Sequence, residues 1–298
     1  MNGRPPRPRR SVLFMPASNA RALEKARVLD VDGVVFDLED AVVPVGKGEA
    51  RSQAVAAARA GGYGRREVVI RVNGAGTPWG RDDLAAAATS CADAVLLPKV
   101  ESAAAVAEAV AALTAHGAPP ALSVWCMLET PRGVLAADAI AAGGRVGALV
   151  MGTSDLTADL RARHTAGREP LLLSLALCVL AARAHGLAAL DGVHLDLADT
   201  AGLERACRQA RDLGFDGKTL IHPSQLAAAN ATFAPTREEV AWAERVVEAH
   251  AAAERSGQGV ALVDGRLVEN LHVEDAKRLL ALAGAIAGGA GTGTAGST

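Results

Sequence analysis

The sequence predicts an α/β chain: a (β/α)8 barrel of the TIM type, followed by a C-terminal helical extension. Three observations carry this. Eight short apolar runs recur along the 298 residues, each followed by an alanine-rich stretch of helical character. The runs are apolar throughout instead of alternating, as expected of parallel strands covered on both faces. From the second run onward their ends fall near Asp37, Arg71, Pro98, Glu129, Asp155, Asp191 and His222, with spacings from 26 (129 to 155) to 36 (155 to 191) residues. Eight such units come to about 250 residues, the size of a closed α/β barrel. A doubly wound open sheet is the alternative.

In chain order the runs are SVLFM, GVVFDL, EVVIRV, AVLLPK, LSVWCML, GALVMG, GLAALDG and GKTLIH. Before them, MNGRPPRPRR is basic, but only a short apolar run follows it before Pro16. A secretory signal needs about 7–15 apolar residues, so this segment reads as a flexible arm. After Pro235 the pattern changes to a polar helix over 237–254, a link bearing Gly257 and Gly259, a hairpin-like VALVDGRLV and an amphipathic helix over 273–286. The closing GGAGTGTAGST is too poor in apolar residues to order itself. The expected organisation is a barrel over 1–234, an extension or lid over 235–286, and a disordered tail over 287–298.

Composition excludes several classes of function. The 31 Lys and Arg residues against 33 Asp and Glu give a formal charge of −2, with no basic surplus to attract nucleic acid. Aromatic residues make up 3% of the chain, so stacking platforms for single strands are not expected. The longest apolar segment, 171–182, falls well short of the roughly 20 residues needed to span a bilayer. Cys91, Cys126, Cys178 and Cys207 lack zinc-site spacing, and a reducing cytoplasm is the expected location. No GxSxG elbow, GxGxxG turn or Walker loop occurs, which disfavours a serine nucleophile and a Rossmann nucleotide site; Gly152 and Gly217 read as tight backbone turns.

A parallel barrel builds its active site at the C-terminal ends of its strands. Those ends carry Asp37, Glu39 and Asp40; Arg71 and Asn73; Lys99; Glu129; Ser154 and Asp155; Asp191 and His194; and His222. Glu129 and Asp155 follow adjacent runs and form a hard-oxygen pair suited to Mg²⁺. Each could equally cap the helix that follows it. Arg71 closes an apolar run, where a guanidinium must meet either a substrate anion or a carboxylate such as Asp37 or Glu39. Mutual repulsion argues against Asp37, Glu39 and Asp40 all pointing to one place, and in an extended strand Asp40 turns away from the other two. One of the three is expected to orient Arg71. His222 alone reads more readily as a structural group than as a catalyst.

Taken in order, RSVLFMPASNARALEKA, VVFDLEDAV with Lys47 and Arg51 after it, VIRVNG, LLPKVES, MLETPRGV, GTSDLTADLRA, LDGVHLDLADTAGL and GFDGKTLIHPSQL resemble the citrate lyase beta subunit, malyl-CoA lyase and citramalyl-CoA lyase family. The resemblance covers residues 10 to about 285 and implies a TIM barrel, commonly trimeric. It implies Mg²⁺-assisted carbon–carbon cleavage of a 3-hydroxyacyl-CoA thioester to a 2-oxo acid and an acyl-CoA. A carrier-protein thioester, thioester hydrolysis or a malate-synthase-like reaction on the same scaffold are its alternatives. By motif, Glu129 and Asp155 match the metal ligands, and Arg71 the arginine that holds substrate oxygens. Phe14, Arg21 and Lys25 match coenzyme A contacts, and Ile221 and His222 a further substrate-contacting pair. The family's C-terminal M-[VI]-D aspartate, an acid/base reaching a neighbouring subunit, is replaced here by Glu269, with Asp264 five residues earlier.

Overall fold

The computed structural model describes residues 7–256 and 260–290. Eight parallel strands close into a barrel in sequence order: β1 (Ser11–Pro16), β2 (Gly33–Asp37), β3 (Glu67–Arg71), β4 (Ala94–Leu97), β5 (Ser123–Leu128), β6 (Val146–Met151), β7 (Ala188–Asp191) and β8 (Gly217–Leu220). β8 pairs back onto β1, so no edge is left open. Each of the eight apolar runs supplies one strand. Alternate positions fill the barrel interior, among them Val12, Val35, Val69, Leu96, Trp125, Val150 and Leu190. The positions between them pack under the surrounding helices, as Val34, Ile70, Val95 and Leu149 do. Because both faces are covered, neither face of these strands carries the polar residues that would give an alternating pattern.

The strand period of two then sets the site. Stepping two residues along the inward face from Val35, Val69 and Met127 reaches Asp37, Arg71 and Glu129 at the C-terminal mouth. The opposite end is closed by Arg9, whose guanidinium lies 5.3 Å from the Trp125 ring and pairs with Glu67 at 2.6 and 2.9 Å. Asp191, expected at the mouth, instead alternates to the helix side of β7. It is fully buried there, taking Lys218 Nζ at 2.6 Å and Arg168 Nη1 at 2.8 Å. Asn73 is likewise spent on structure, its amide bonding Asp83 and the Leu38 carbonyl.

The chain divides into two compact units, Arg9–Phe233 and one described over residues 7–8, 234–256 and 260–290, so the start of the chain groups with the C-terminal unit and not with the barrel. In the second, Thr236 and Glu239 form a capping box that starts the helix Arg237–Arg255. An antiparallel hairpin follows, β9 (Ala261–Val263) and β10 (Arg266–Val268). Its turn residues Asp264 and Gly265 have φ of 49° and 74°, as a two-residue hairpin turn requires. Val246, Val263, Val268 and Val273 share a small core. The last helix runs Asn270–Ala290, longer at both ends than the expected 273–286. Positions 287–290 are therefore in the helix and not in a tail; 291–298 lie outside the described residues, as do Gly257 and Gly259 of the link and residues 1–6 of the arm. Among the described residues no helix is long and apolar enough to cross a membrane.

Candidate active site

A cavity of about 410 Å³ opens at the C-terminal mouth, lined by Phe14, Arg71, Met127, Glu129, Asp155 and Ile221 among others. Its centre is a charge cluster around Arg71. Asp37 takes the guanidinium as a fork, accepting from Nε at 2.7 Å and Nη2 at 2.6 Å. Nη1 lies 3.1 Å from Glu39 Oε2 and 3.3 Å from Asp40 Oδ2, and the Phe14 ring sits 4.8 Å beneath the guanidinium. All three acids thus converge on Arg71, against expectation. The planar fork with its several donors resolves the repulsion, and Asp37 is locked further by the N–H groups of Glu39 and Ala41 at 2.8 and 3.1 Å. Burial disfavours the charged guanidinium, but the bond to Asp37 and the charges of Asp37, Glu39 and Asp40 outweigh it and raise the Arg71 pKa.

Glu129 and Asp155 reach the same mouth from adjacent strands. Glu129 is buried, and its Oε1 accepts the Lys99 backbone N–H at 2.7 Å. Burial, reinforced by the charges of Glu39 and Asp155, pushes its carboxyl up to about 7. Asp155 stands in the first turn of the helix Thr153–Asp159, half-exposed, with Oδ2 3.2 Å from Lys99 Nζ. Glu129 does not cap the helix after it, because Thr130 accepts the Gly133 N–H at its start, whereas Asp155 in the first turn of its helix also fits the helix-terminus reading.

The donor set suits Mg²⁺. Glu39 Oε2 is buried without an aligned hydrogen bond, although Arg71 is at ion-pair distance. Among the described residues, the cations recorded against Asp37, Glu39, Asp40 and Asp155 are Arg71 and Lys99, with Lys47 on the Glu39 carbonyl. Among the described residues no third acid or histidine joins Glu129 and Asp155 in metal-binding geometry. Two carboxylates are what Mg²⁺ commonly takes from a protein, water and substrate oxygens completing its octahedron.

A raised acid has a definite sign of pH dependence. The fold favours protonated Glu129, so in EDTA the ionisation penalty grows, and stability falls, as pH rises from the ordinary carboxylate range to about 7. Were Glu129 to hold Mg²⁺ it would do so ionised, and the affinity should then climb over the same window and level off above it. Calorimetric titration across that range checks this, with Glu129→Gln expected to lose the pH dependence; a flat profile in the wild type would contradict it.

The remaining expected residues fall in different places. Ile221 lines the cavity, whereas His222 is exposed and its Nδ1 accepts the Ser224 N–H at 3.2 Å. The neighbouring Gln225, which the sequence reading passed over, is buried and takes the N–H groups of Ile221 and His222 at 3.0 and 3.3 Å, while its amide donates to the His194 carbonyl. It pins the β7 and β8 loops together. Its signal was the capping-box spacing from His222. Arg21 and Lys25 lie exposed on the helix Ala20–Lys25 that follows β1. Glu269 is exposed in the C-terminal unit, just before the last helix, and its N–H bonds His272 Nδ1 at 3.0 Å. Asp264 pairs with Arg245 at 3.0 Å. Gly152 and Gly217 have no left-handed backbone; both are required by close approach, since a Cβ would meet Glu129 Cβ at 2.2 Å and the Arg9 carbonyl at 1.8 Å respectively. Burial raises the Cys126 thiol to about 12 and Cys207 to about 11, which suits inert core groups.

The comparisons with known proteins agree with this architecture. Residues 10–223 match the HpcH/HpaI aldolase/citrate lyase family. The (3S)-malyl-CoA thioesterase of Cereibacter sphaeroides (strain KD131 / KCTC 12085) is 51% identical over 280 residues, covering 94% of this chain and 96% of the relative. The citrate lyase subunit beta of Escherichia coli K12 is 35% identical, covering 93% and 94%. The CitE protein of Mycobacterium tuberculosis, solved with magnesium, acetoacetate and coenzyme A, superposes with a TM-score of 0.73 at 34% identity, over 92% of this chain and 97% of that one. By both the family match and these full-length likenesses, the chain belongs to the HpcH/HpaI aldolase/citrate lyase family.

Proposed function

We propose that this protein is a Mg²⁺-dependent enzyme that hydrolyses a 3-hydroxyacyl-CoA thioester of the malyl-CoA type. The observation that carries the reading is the placement of Arg71, Glu129 and Asp155 on one cavity, in a chain 51% identical nearly end to end to a (3S)-malyl-CoA thioesterase. A carboxylate-bearing substrate would otherwise be repelled by a mouth in which acids outnumber cations. Held by Glu129 and Asp155, Mg²⁺ would supply charge neutralisation and Lewis-acid polarisation of the substrate oxygens. Arg71, fixed by Asp37, presents Nη1 to the cavity, where a substrate oxygen would replace Asp40 as its acceptor and gain the negative charge that Arg71 stabilises. Phe14 supports that guanidinium from below, Ile221 lines the wall, and Arg21 and Lys25 are the cations offered to coenzyme A phosphates.

A second reading is carbon–carbon cleavage of the same substrate to a 2-oxo acid and an acyl-CoA. The M. tuberculosis citrate lyase beta subunit solved with oxaloacetate and magnesium, 33% identical, favours it. In that reaction the departing carbon is a thioester enolate that must gain a proton, and in hydrolysis the attacking water must lose one. Glu269 of a neighbouring subunit in a homotrimer is assigned that transfer, and the setting is the cytoplasm.

One assay separates the readings. With malyl-CoA and Mg²⁺, free thiol released without 2-oxo acid is the expected result. A 2-oxo acid without free thiol would move the assignment to the lyase, as would citramalyl-CoA cleavage, and neither product would sink both. Rapid turnover only with a carrier-protein thioester would point to a citrate lyase complex. Glu269→Gln should retain substrate binding and lose turnover about 100-fold or more. Mixing it with an Arg71→Lys variant should restore activity through hybrid trimers. Unchanged turnover in Glu269→Gln with a loss in Asp264→Asn would transfer the role to Asp264.

A further inference from the structure

Lys99 contacts three of the carboxylates at the mouth, those of Glu39, Glu129 and Asp155. It follows Pro98 at the end of β4 with φ of 47°, a left-handed conformation uncommon for a residue with a side chain. That backbone turn aims its N–H at Glu129 Oε1, 2.7 Å away. Its ammonium lies between two other acids, 3.2 Å from Asp155 Oδ2 and 3.3 Å from Glu39 Oε1. One residue thus holds one expected metal ligand by its main chain and the other by its charge.

We propose that the Lys99 ammonium is a tethered counter-ion that competes with the divalent metal for Asp155 and so sets the metal affinity of the site. The inference rests on Glu129 and Asp155 being the Mg²⁺ ligands. Mg²⁺ binds oxygens at about 2.0–2.1 Å, so an ion on Asp155 and an ammonium on the same carboxylate would stand within a few ångströms of each other. Their repulsion is relieved if the ammonium withdraws. Glu39 gives it a destination, being already within 3.3 Å and bearing a buried oxygen without an aligned donor. The stem is flexible and the side chain 48% exposed, so the shift needs no repacking. Without metal, the ammonium compensates Asp155 and shares Glu39 with Arg71; with metal, the charge of Asp155 is balanced by the ion.

The test is Mg²⁺ titration by calorimetry of the full chain in wild-type, Lys99→Met, Lys99→Gly and Lys99→Arg forms. Lys99→Met should bind Mg²⁺ about tenfold more tightly than wild type. Lys99→Gly, which also relaxes the left-handed backbone, should match Lys99→Met, because the charge and not the backbone is removed. Lys99→Arg should stay within about threefold of wild type. In EDTA, Lys99→Met should melt below wild type and gain more from added Mg²⁺. If wild type binds Mg²⁺ and Lys99→Met binds it equally or more weakly, the counter-ion role is overturned and the metal site stands. If neither wild type nor Lys99→Met binds Mg²⁺, the ligand assignment of Glu129 and Asp155 falls, and this inference with it.

Discussion

Arg71→Lys should lower turnover at least tenfold, equivalent to about 1.4 kcal/mol of transition-state stabilisation, while leaving the fold nearly intact. The ammonium keeps the positive charge that Asp37, Glu39 and Asp40 surround, but a single nitrogen cannot reproduce the parallel donation to both Asp37 oxygens at 2.6 and 2.7 Å and also aim a third donor at the cavity. It also loses the flat contact with Phe14. Arg71→Met separates charge from geometry. It leaves Asp37, 1% exposed, without its cation, and removing one member of a buried pair costs about 3–5 kcal/mol. The Glu39 and Ala41 N–H groups still serve Asp37, which places the expected loss near the lower end, about 3 kcal/mol. Thiol release with malyl-CoA and denaturant melts of the two variants check both halves. Normal kinetics in Arg71→Lys together with a large stability loss in Arg71→Met would make the cluster a structural ion pair and nothing more.

The barrel was legible because each strand is buried on both sides and therefore written as an uninterrupted apolar run, and because β/α units recur at near-constant length. The same logic exposed the site: a charged residue ending such a run has few reasons to be there, and Arg71, Glu129 and Asp155 all line the cavity. What local pattern could not give was the side chain's destination beyond the last strand residue. Asp191 ends its run as Asp37 does, yet the two sit at opposite parity, so one meets Lys218 and Arg168 among the helices and the other meets Arg71. The sequence suggests that one acid pairs with Arg71, but only the folded geometry shows that a guanidinium 34 residues away from Asp37 has donors enough to hold Asp37, Glu39 and Asp40 together. The left-handed turn at Lys99 leaves no trace in composition, because only the position of Glu129 on the next strand calls for it. The C-terminal helix outruns its amphipathic pattern at both ends, because residues 270–272 and the glycine and alanine of 287–290 carry no apolar periodicity.

Gly152→Ala should cost about 100-fold in turnover, an effect comparable to removing a catalytic group although Gly152 has no side chain to take part in the reaction. Its φ of −97° is open to any residue, so the constraint is not conformational. The constraint is space: a methyl group there would stand 2.2 Å from Glu129 Cβ and 2.4 Å from its Oε2. The first of these atoms is held by the β5 backbone and cannot swing aside, and β5 pairs directly with β6 up to Leu128 and Met151. Either the two strands separate at the mouth or the Glu129 carboxylate is re-aimed, and both move the oxygen proposed to hold Mg²⁺ by about 1 Å, a displacement that costs about 100-fold when it falls on the reacting geometry. Overpacking of this kind also costs about 1–3 kcal/mol of stability. The two losses can be told apart by Mg²⁺ affinity. Displacement of Glu129 weakens Mg²⁺ binding in Gly152→Ala even at temperatures where the variant is fully folded, whereas a purely global destabilisation leaves metal affinity at the wild-type value. Wild-type turnover in a folded Gly152→Ala protein would remove Glu129 from the reaction centre.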